Sequence, residues 1–575
     1  MDKNVLVFIF KLIKPFKIRI LVITVCMIVV SFLSILYPML QRILFDDGLV
    51  RGNINIVIQY TLLILGLYVV EQIIAFIQFT CYQIINKQIS FKLMYEAVNH
   101  SIRLKMSYHK DNNFLKIIGN VQGDVTSISQ IINTGLLQTA LSFFKIIGGI
   151  IGLCLIDWRL TFCVLMIAPF EMMSKNRISS KKQKYLKKYM KVNENFSIWF
   201  GEIFKNIEVI KLWNLQDKRM KEFESLKKEM IVYEKKMEYS DNFANISSQT
   251  LGMIFTHGIN LLGAIFIMQN QLTIGGLFAF ISYSTYVLQP VSSLTNLLYM
   301  LNSSKPAFKR YMEYFDNDIE CEEGIELKDE SMEIEKIIFD NVVFAYENKK
   351  PILNSVNFSI KKGEKIGFIG LNGSGKTTII NLLLRFFEPT SGVIQLNGIN
   401  IQNIALDEYR KIFCVMNQGS SLFDDTIRNN VNILENLSED EIYYFLNLTT
   451  STEFIKSLPK GIDSSVGFNG GKISGGEKQK VALARTLAKR GRILILDEAT
   501  ANFDLSAEMK FDQYIMQCNL YDIIIIISHR EDILKRLDKI FYIDSGVICD
   551  FGSYNELIER NSGLFERLSQ EEKKV

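Results

Sequence analysis

Long apolar runs dominate the chain up to about residue 310, and the pattern then changes. Six of them, near 18–43, 54–84, 131–156, 159–179, 243–268 and 274–300, are each long enough to cross a hydrocarbon core of roughly 30 Å as a helix. An even number of spans leaves both ends of this half on one side of the membrane. The connections alternate in character. Those near 44–53, 156–160 and 268–274 are short and carry few basic residues, whereas those near 85–130 and 180–242 are long and rich in Lys and Arg. Lys175 to Lys191 alone holds eight basic residues. A nucleic-acid patch would account for that run, but the positive-inside rule accounts for the whole alternation and places both long connections in the cytoplasm. Their length exceeds what a loop needs, so the spans are expected to continue as helices below the membrane.

From Asp316 to Glu335 the chain turns acidic and loses its apolar periodicity, which marks a linker. Beyond it, short β-rich runs such as Lys365–Ile369, Ile493–Leu496 and Ile523–Ile527 alternate with helical stretches. Continuous apolar strands bounded by helices predict a buried parallel sheet. The expected architecture is an α-helical six-span transmembrane domain over 1–312, an acidic linker over 313–335, and an α/β P-loop nucleotide-binding domain over 336–575.

Composition sharpens this only a little. A hydrophobic fraction of 48% over 575 residues suits a chain that is part membrane and part soluble enzyme. A net charge of +4 is too small to argue for nucleic acid, and no nucleic-acid partner is expected. The eight cysteines are scattered, with no C-x-x-C pair and no Cys/His cluster, so neither a zinc site nor a disulfide framework is indicated. The basic N-terminus followed by an apolar run looks like a signal peptide. It has no small-residue cleavage site, however, and the run continues to about Leu40, which predicts a retained membrane helix. Abundant Ile, Lys and Asn with only 8 Pro fit an AT-rich bacterial genome.

The chemistry lies in the second half. The run Lys365–Ile369 leads into Gly370-Leu-Asn-Gly-Ser-Gly-Lys-Thr377 and then an apolar helix, the context of a phosphate-binding P-loop. Gly370, Gly373 and Gly375 let the backbone wrap a phosphate chain, so that amides from Asn372 through Ser374 to Thr378 and the helix N-terminus face the anion. Lys376 brings charge to the β- and γ-phosphates of ATP, and the Thr377 hydroxyl is a ligand for Mg²⁺. A second strand ends in Asp497-Glu498. Asp497 is placed to hold Mg²⁺ through water, and Glu498 to polarise the attacking water. A third ends in Ser528-His529, a γ-phosphate contact.

Ile473-Ser-Gly-Gly-Glu-Lys-Gln-Lys480 resembles the signature of ATP-binding-cassette (ABC) proteins, which other P-loop ATPases lack. Gln418 in Val415-Met-Asn-Gln resembles the family's Q-loop, Tyr346 its adenine-stacking aromatic, and Ala501-Asn-Phe-Asp504 its D-loop. In the first half, Pro38, Asp46, Trp158-Arg-Leu-Thr161, Leu272-Thr-Ile-Gly275 and Pro290 resemble the six-helix ABC exporter membrane domain, as Gly552-Ser-Tyr-Asn-Glu-Leu557 resembles its tail. The resemblance implies a half-transporter of the bacterial cytoplasmic membrane with its ATPase in the cytoplasm. It implies that Gln418 joins the magnesium and catalytic groups. It also implies that Ser474, Gly475 and Gly476 complete the ATP site of an opposite subunit, either a second copy of the chain or a related half-transporter. Three positions depart from the pattern: Glu477 for the usual Gln, Phe503 for the usual Leu, and Phe468 where exporters usually carry a coupling Glu.

Ionisable residues inside spans are functional candidates. Glu71 and Lys145 fall at depths of roughly 22 and 16 Å below the presumed outer ends of their spans, close enough to pair. His257, Asn260, Tyr283 and Tyr286 fall at comparable depths. This belt is expected either to line a translocation cavity or, for Glu71 and Lys145, to brace two helices. The mostly apolar spans suit a hydrophobic or amphiphilic cargo: a drug, a lipid or a modified peptide. The first span begins almost at the N-terminus, which leaves no room for a leader-cleaving protease domain, so a peptide cargo would arrive already processed. A soluble ABC ATPase is opposed by the fused spans. An ATP-gated channel or regulator is the alternative of another class, and transport direction is not set by the motifs.

Overall fold

The computed structural model describes residues 8, 11–111, 114–130, 137–326, 333–346, 350–419 and 421–560. They form two compact units, one of residues 1–104 and 108–319 and the other of residues 105–107 and 320–575.

The first unit is built on six long helices: α1 (Lys17–Ile43), α2 (Ile54–Arg103), α3 (Leu137–Ile156), α4 (Trp158–Lys205), α5 (Gln216–Met268) and α6 (Ile274–Phe315). Helices α2, α4 and α5 have 50, 48 and 53 residues, far more than a bilayer requires. Apolar stretches long enough to cross a membrane lie on 11–49, on α2 and on α5, with shorter ones on Ser142–Ile156, Trp158–Ile167 and Ile274–Leu288. The predicted third span starts at 131, but 131–136 lie outside the described residues, as do 327–332 of the expected linker. Large apolar side chains such as Ile18, Leu62, Phe76 and Leu261 are exposed over these helices, the surface a lipid-facing helix presents.

The motif segments around Asp46, Trp158 and Leu272 sit at helix ends, whereas Pro38 lies inside α1. Asp157 caps α4, accepting from Arg159 N at 2.8 Å and Leu160 N at 3.2 Å. Asp46 sits in a π-helical turn after α1 and accepts from Thr273 Oγ1 (2.7 Å) and Gly275 N (2.8 Å), so one carboxylate ties that turn to the start of α6. Gly152 lets Tyr283 lie against α3, since a Cβ there would sit 2.6 Å from its ring.

Two expectations for the polar belt need correcting. Glu71 and Lys145 do not pair. The Lys145 ammonium lies over the ring of Tyr286, 5.9 Å from its centroid, and Glu71 lies beside Tyr37. Depth along two helices does not set their rotation, and a third helix, α6, places an aromatic ring under Lys145. Tyr283 is not a cavity residue: it is buried, with its hydroxyl donating to Ile35 O at 2.5 Å. His257 is exposed on α5 and Asn260 is half-buried.

The second unit contains two sheets. β1 (Lys336–Phe344), β2 (Leu353–Lys361), β4 (Ser391–Leu396) and β5 (Ile399–Asn400) form an antiparallel sheet in the order β2-β1-β4-β5. β3 (Lys365–Ile369), β6 (Phe413–Met416), β7 (Ile493–Asp497), β8 (Ile523–Ile527), β9 (Lys539–Asp544) and β10 (Val547–Gly552) form the other, in the order β10-β9-β3-β8-β7-β6. Every pairing from β9 to β6 is parallel. β7 and β8 are buried along their whole length. That is why the runs Ile-Leu-Ile-Leu and Ile-Ile-Ile-Ile-Ile show no polar alternation. Three helices serve the site: α7 (Lys376–Leu383), α8 (Gly475–Ala488) and α9 (Leu505–Gln517).

Candidate active site

Strand order builds the site. β3, β8, β7 and β6 are neighbours, and each ends in one of the candidate groups: Gly370, Ser528-His529, Asp497-Glu498 and Gln418. Residues more than a hundred positions apart are thus aligned along one edge about 14 Å wide, three strand spacings, at the C-terminal ends where parallel sheets bind ligands.

The P-loop leaves β3 with Gly370 at φ 150° and enters α7 with Gly375 at φ 112°. A Cβ on Gly370 would run into the carbonyl oxygen of Ile543, and one on Gly375 would sit 2.6 Å from Leu353. Lys376 is buried, its ammonium donating to the loop carbonyls of Gly370 at 2.5 Å and Leu371 at 3.0 Å. Asn372, Gly373 and Thr377 are exposed, and Ser374 and Thr378 are buried. The Ser374 hydroxyl is buried without a hydrogen-bond partner among the described residues. Tyr346 stands where β1 gives way to the loop returning to β2, edge-on to Phe344 and Phe387 at 4.8 and 5.1 Å.

Asp497 is only 5% exposed. Burial, reinforced by the neighbouring Glu498 and opposed by Lys376, pushes its pKa up from 3.8 to about 6. Next to it Glu498 takes φ 49°, a left-handed conformation unusual for a side-chain-bearing residue and typical of strained functional positions. Its carboxylate accepts from Gln418 Nε2 at 2.6 Å. Glu498 and His529 line the same cavity of about 260 Å³. Arg530 anchors the His529 loop with ion pairs to Glu508 (2.8 Å) and Asp512 (2.9 Å) on α9.

Ser474 caps α8 in a reciprocal box with Glu477, whose carboxylate accepts from Ser474 N at 2.8 Å. Glu serves that box as well as Gln, which explains the first departure from the signature. Gly476 lies beneath the D-loop, where a Cβ would be 2.8 Å from Asn502 O. Gln479 fastens the two together, donating to Glu498 O at 3.0 Å and accepting from Asn502 N at 3.1 Å. Nothing in the linear sequence marks Gln479, because its value depends on a turn that only the fold brings beside it. Ser474 and Gly475 present an exposed helix N-terminus. Phe503 packs its ring toward Phe511 and under Lys480, so an aromatic fills the D-loop's apolar position. Phe468 is 86% exposed.

Residues 20–291 match the family model for the ABC transporter transmembrane region, and residues 353–501 that described as ABC transporter. The chain belongs to the ABC transporter family. With one membrane region and one ATPase fused in a single polypeptide, it is a half-transporter, a multi-pass protein of the cytoplasmic membrane whose ATP hydrolysis is coupled to transport. It is 28% identical over 571 residues to a putative multidrug export ATP-binding/permease protein of Staphylococcus aureus strain NCTC 8325, covering 97% of this chain and 98% of the relative. A protein of the same description from the bovine strain RF122 is 27% identical over the same length. The transporter also shares its fold with a bacterial Atm1-family ABC exporter solved with ATP bound, at a TM-score of 0.84 and 22% identity over 97% of this chain and 98% of that one.

The donors at this edge fit magnesium. A buried carboxylate at Asp497, the hydroxyl of Thr377 and the amide oxygen of Gln418 are hard oxygen ligands, few enough that phosphate and water complete the shell, which is how magnesium is usually held beside nucleotides.

The raised pKa of Asp497 has a consequence for stability. Its folded value lies above that of the unfolded chain, so between about pH 4 and pH 6 the native state keeps a proton that the unfolded state has released. The contribution of Asp497 to stability therefore falls as pH rises through that window. Asp497→Asn, which cannot ionise, is expected to raise the unfolding midpoint of the nucleotide-free, magnesium-free ATPase half by a few degrees at pH 7.5. The gap is expected to close near pH 4. Thermal unfolding of the full-length transporter across that range checks it, and equal midpoints at pH 7.5 would contradict it.

Proposed function

We propose that two copies of this chain form an exporter that uses ATP to move hydrophobic or amphiphilic molecules out through the cytoplasmic membrane. The alignment of Lys376, Asp497, Glu498, Gln418 and His529 along one sheet edge, fused to a helical membrane half, carries this reading. The description of the Staphylococcus aureus relatives as multidrug export proteins supports its direction.

In this reading the P-loop amides of Gly370–Thr378, with Asn372, Gly373 and Ser374 at its tip, wrap the phosphates, and Tyr346 stacks on the base. Lys376 exchanges its loop carbonyls for β- and γ-phosphate oxygens. Magnesium would be held by Thr377 and Asp497, with Gln418 alongside, and when bound it offsets phosphate charge. Glu498, kept in place by Gln418, polarises the attacking water, and His529 contacts the γ-phosphate. Ser474, Gly475 and Gly476 of one chain close on the nucleotide held by the other, because an exposed helix N-terminus is an anion site in need of an anion. Closure draws the two ATPase halves together and turns the membrane cavity outward; hydrolysis, achieved by positioning and charge stabilisation, resets it.

The test is reconstitution in liposomes with the ATPase half outside. ATP with magnesium should drive accumulation of an amphiphilic dye in the lumen and should be hydrolysed faster in its presence. Passive ATP-gated ion conductance without accumulation would replace the exporter with a channel.

A further inference from the structure

Four membrane helices converge on one small group of polar side chains. Glu71 of α2 lies beside the Tyr37 hydroxyl of α1 and within electrostatic reach of Tyr286 of α6. Lys145 of α3 faces the Tyr286 ring from another side. A helix brace made of Glu71 and Lys145 would neutralise both charges in one ion pair. Here each approaches the same tyrosine and neither reaches the other. The Tyr37 hydroxyl is buried at this point, next to Glu71. Opposite charges inside membrane spans are costly when unneutralised, and a molecule that carries both signs would satisfy them together.

We propose that this cluster is a recognition site for zwitterionic amphiphiles, molecules that join an ammonium and an acidic group to an apolar chain. The ammonium faces Glu71 with the tyrosine rings around it, a surrounding that aromatic faces favour. The acidic group faces Lys145, and Tyr286 sits between the two. The inference rests on the exporter reading and names the substrate class it would act on.

The test measures ATPase stimulation of the reconstituted full-length protein by amphiphiles whose apolar chains have the same length. They are a lysophosphatidylethanolamine, an N-acyl lysine, an alkyl trimethylammonium, an alkyl phosphate and a neutral maltoside. The zwitterions are expected to stimulate at the lowest concentration, and whichever of the first two is stronger tells a lipid source from a peptide one. Glu71→Gln is expected to raise the half-stimulating concentration about tenfold for zwitterions and the cation but not for the anion, the effect of one charged contact. Lys145→Gln should do the reverse, affecting zwitterions and the anion. The exchange Glu71→Lys with Lys145→Glu should keep the preference for zwitterions over the maltoside. If all five probes shift together, or none shifts, the site assignment is overturned, and a common shift with a lowered unfolding midpoint would mark a structural brace. Either result leaves the exporter reading standing, which fails only if the wild-type protein accumulates no amphiphile with ATP.

Discussion

Replacing Glu498 with Gln is expected to lower ATP turnover by roughly 10²–10⁴-fold, the contribution of a positioned general base. Nucleotide affinity should remain within a few-fold of wild type. The separation follows from the geometry. Glu498 stands at the end of β7 in a left-handed conformation, with its carboxylate held by Gln418 Nε2 and its carbonyl by Gln479. Gln keeps the size and one acceptor oxygen, so the turn and its hydrogen bonds survive while the charge that polarises water is lost. The phosphate contacts belong to the P-loop and Lys376, which the substitution does not touch. Phosphate release by the reconstituted protein, set beside equilibrium binding of a fluorescent ATP analogue, measures both. Residual turnover within tenfold of wild type would remove Glu498 from the role of base and turn attention to His529, which lines the same cavity.

The second large effect concerns Gly476. An Asp there meets two obstacles. Its Cβ would press on Asn502 O, 2.8 Å away, and its charge would stand at a helix N-terminus meant for phosphate. Hydrolysis is expected to fall to background in a homogeneous preparation of Gly476→Asp, as it is for Lys376→Ala. Mixed dimers of these two chains distinguish where the damage acts. If each ATP site is shared between chains, one site of the mixed dimer has both Lys376 and Gly476 intact, and the other has neither. Co-expressed and purified through two different tags, the mixed dimer should therefore recover hydrolysis well above that of either parent. No recovery would mean that each chain works on its own nucleotide or that both sites must fire together. A covalently linked dimer with both substitutions in one half would then separate those two cases.

Much of this site is legible in the linear sequence because its motifs are local. The P-loop needs glycines at fixed spacing, the strand ends need acidic residues after an apolar run, and the signature needs a cap and a helix start. Each of these is a short-range requirement of backbone geometry, visible wherever the chain meets it. The two fully buried strands are equally plain, since burial on both faces leaves no polar alternation to obscure them.

What the sequence could not supply is which motif stands beside which. The order β3-β8-β7-β6 differs from chain order, and it is this crossing that sets Gln418 against Glu498 across 80 positions and makes Gln479 the tie between α8 and the D-loop. The membrane half shows the same division. Apolar length marks the stretches of 11–49, α2 and α5 that are long enough to cross a bilayer, because a bilayer demands that length of any span. Which polar groups meet inside it was decided by packing. Depth along two helices would pair Glu71 with Lys145, but the rotation of α6 sets Tyr286 under Lys145 instead, and the close fit of Tyr283 against Gly152 buries that tyrosine. Distance along a helix follows from residue number; the direction a side chain faces depends on its neighbours, and only the folded structure holds those.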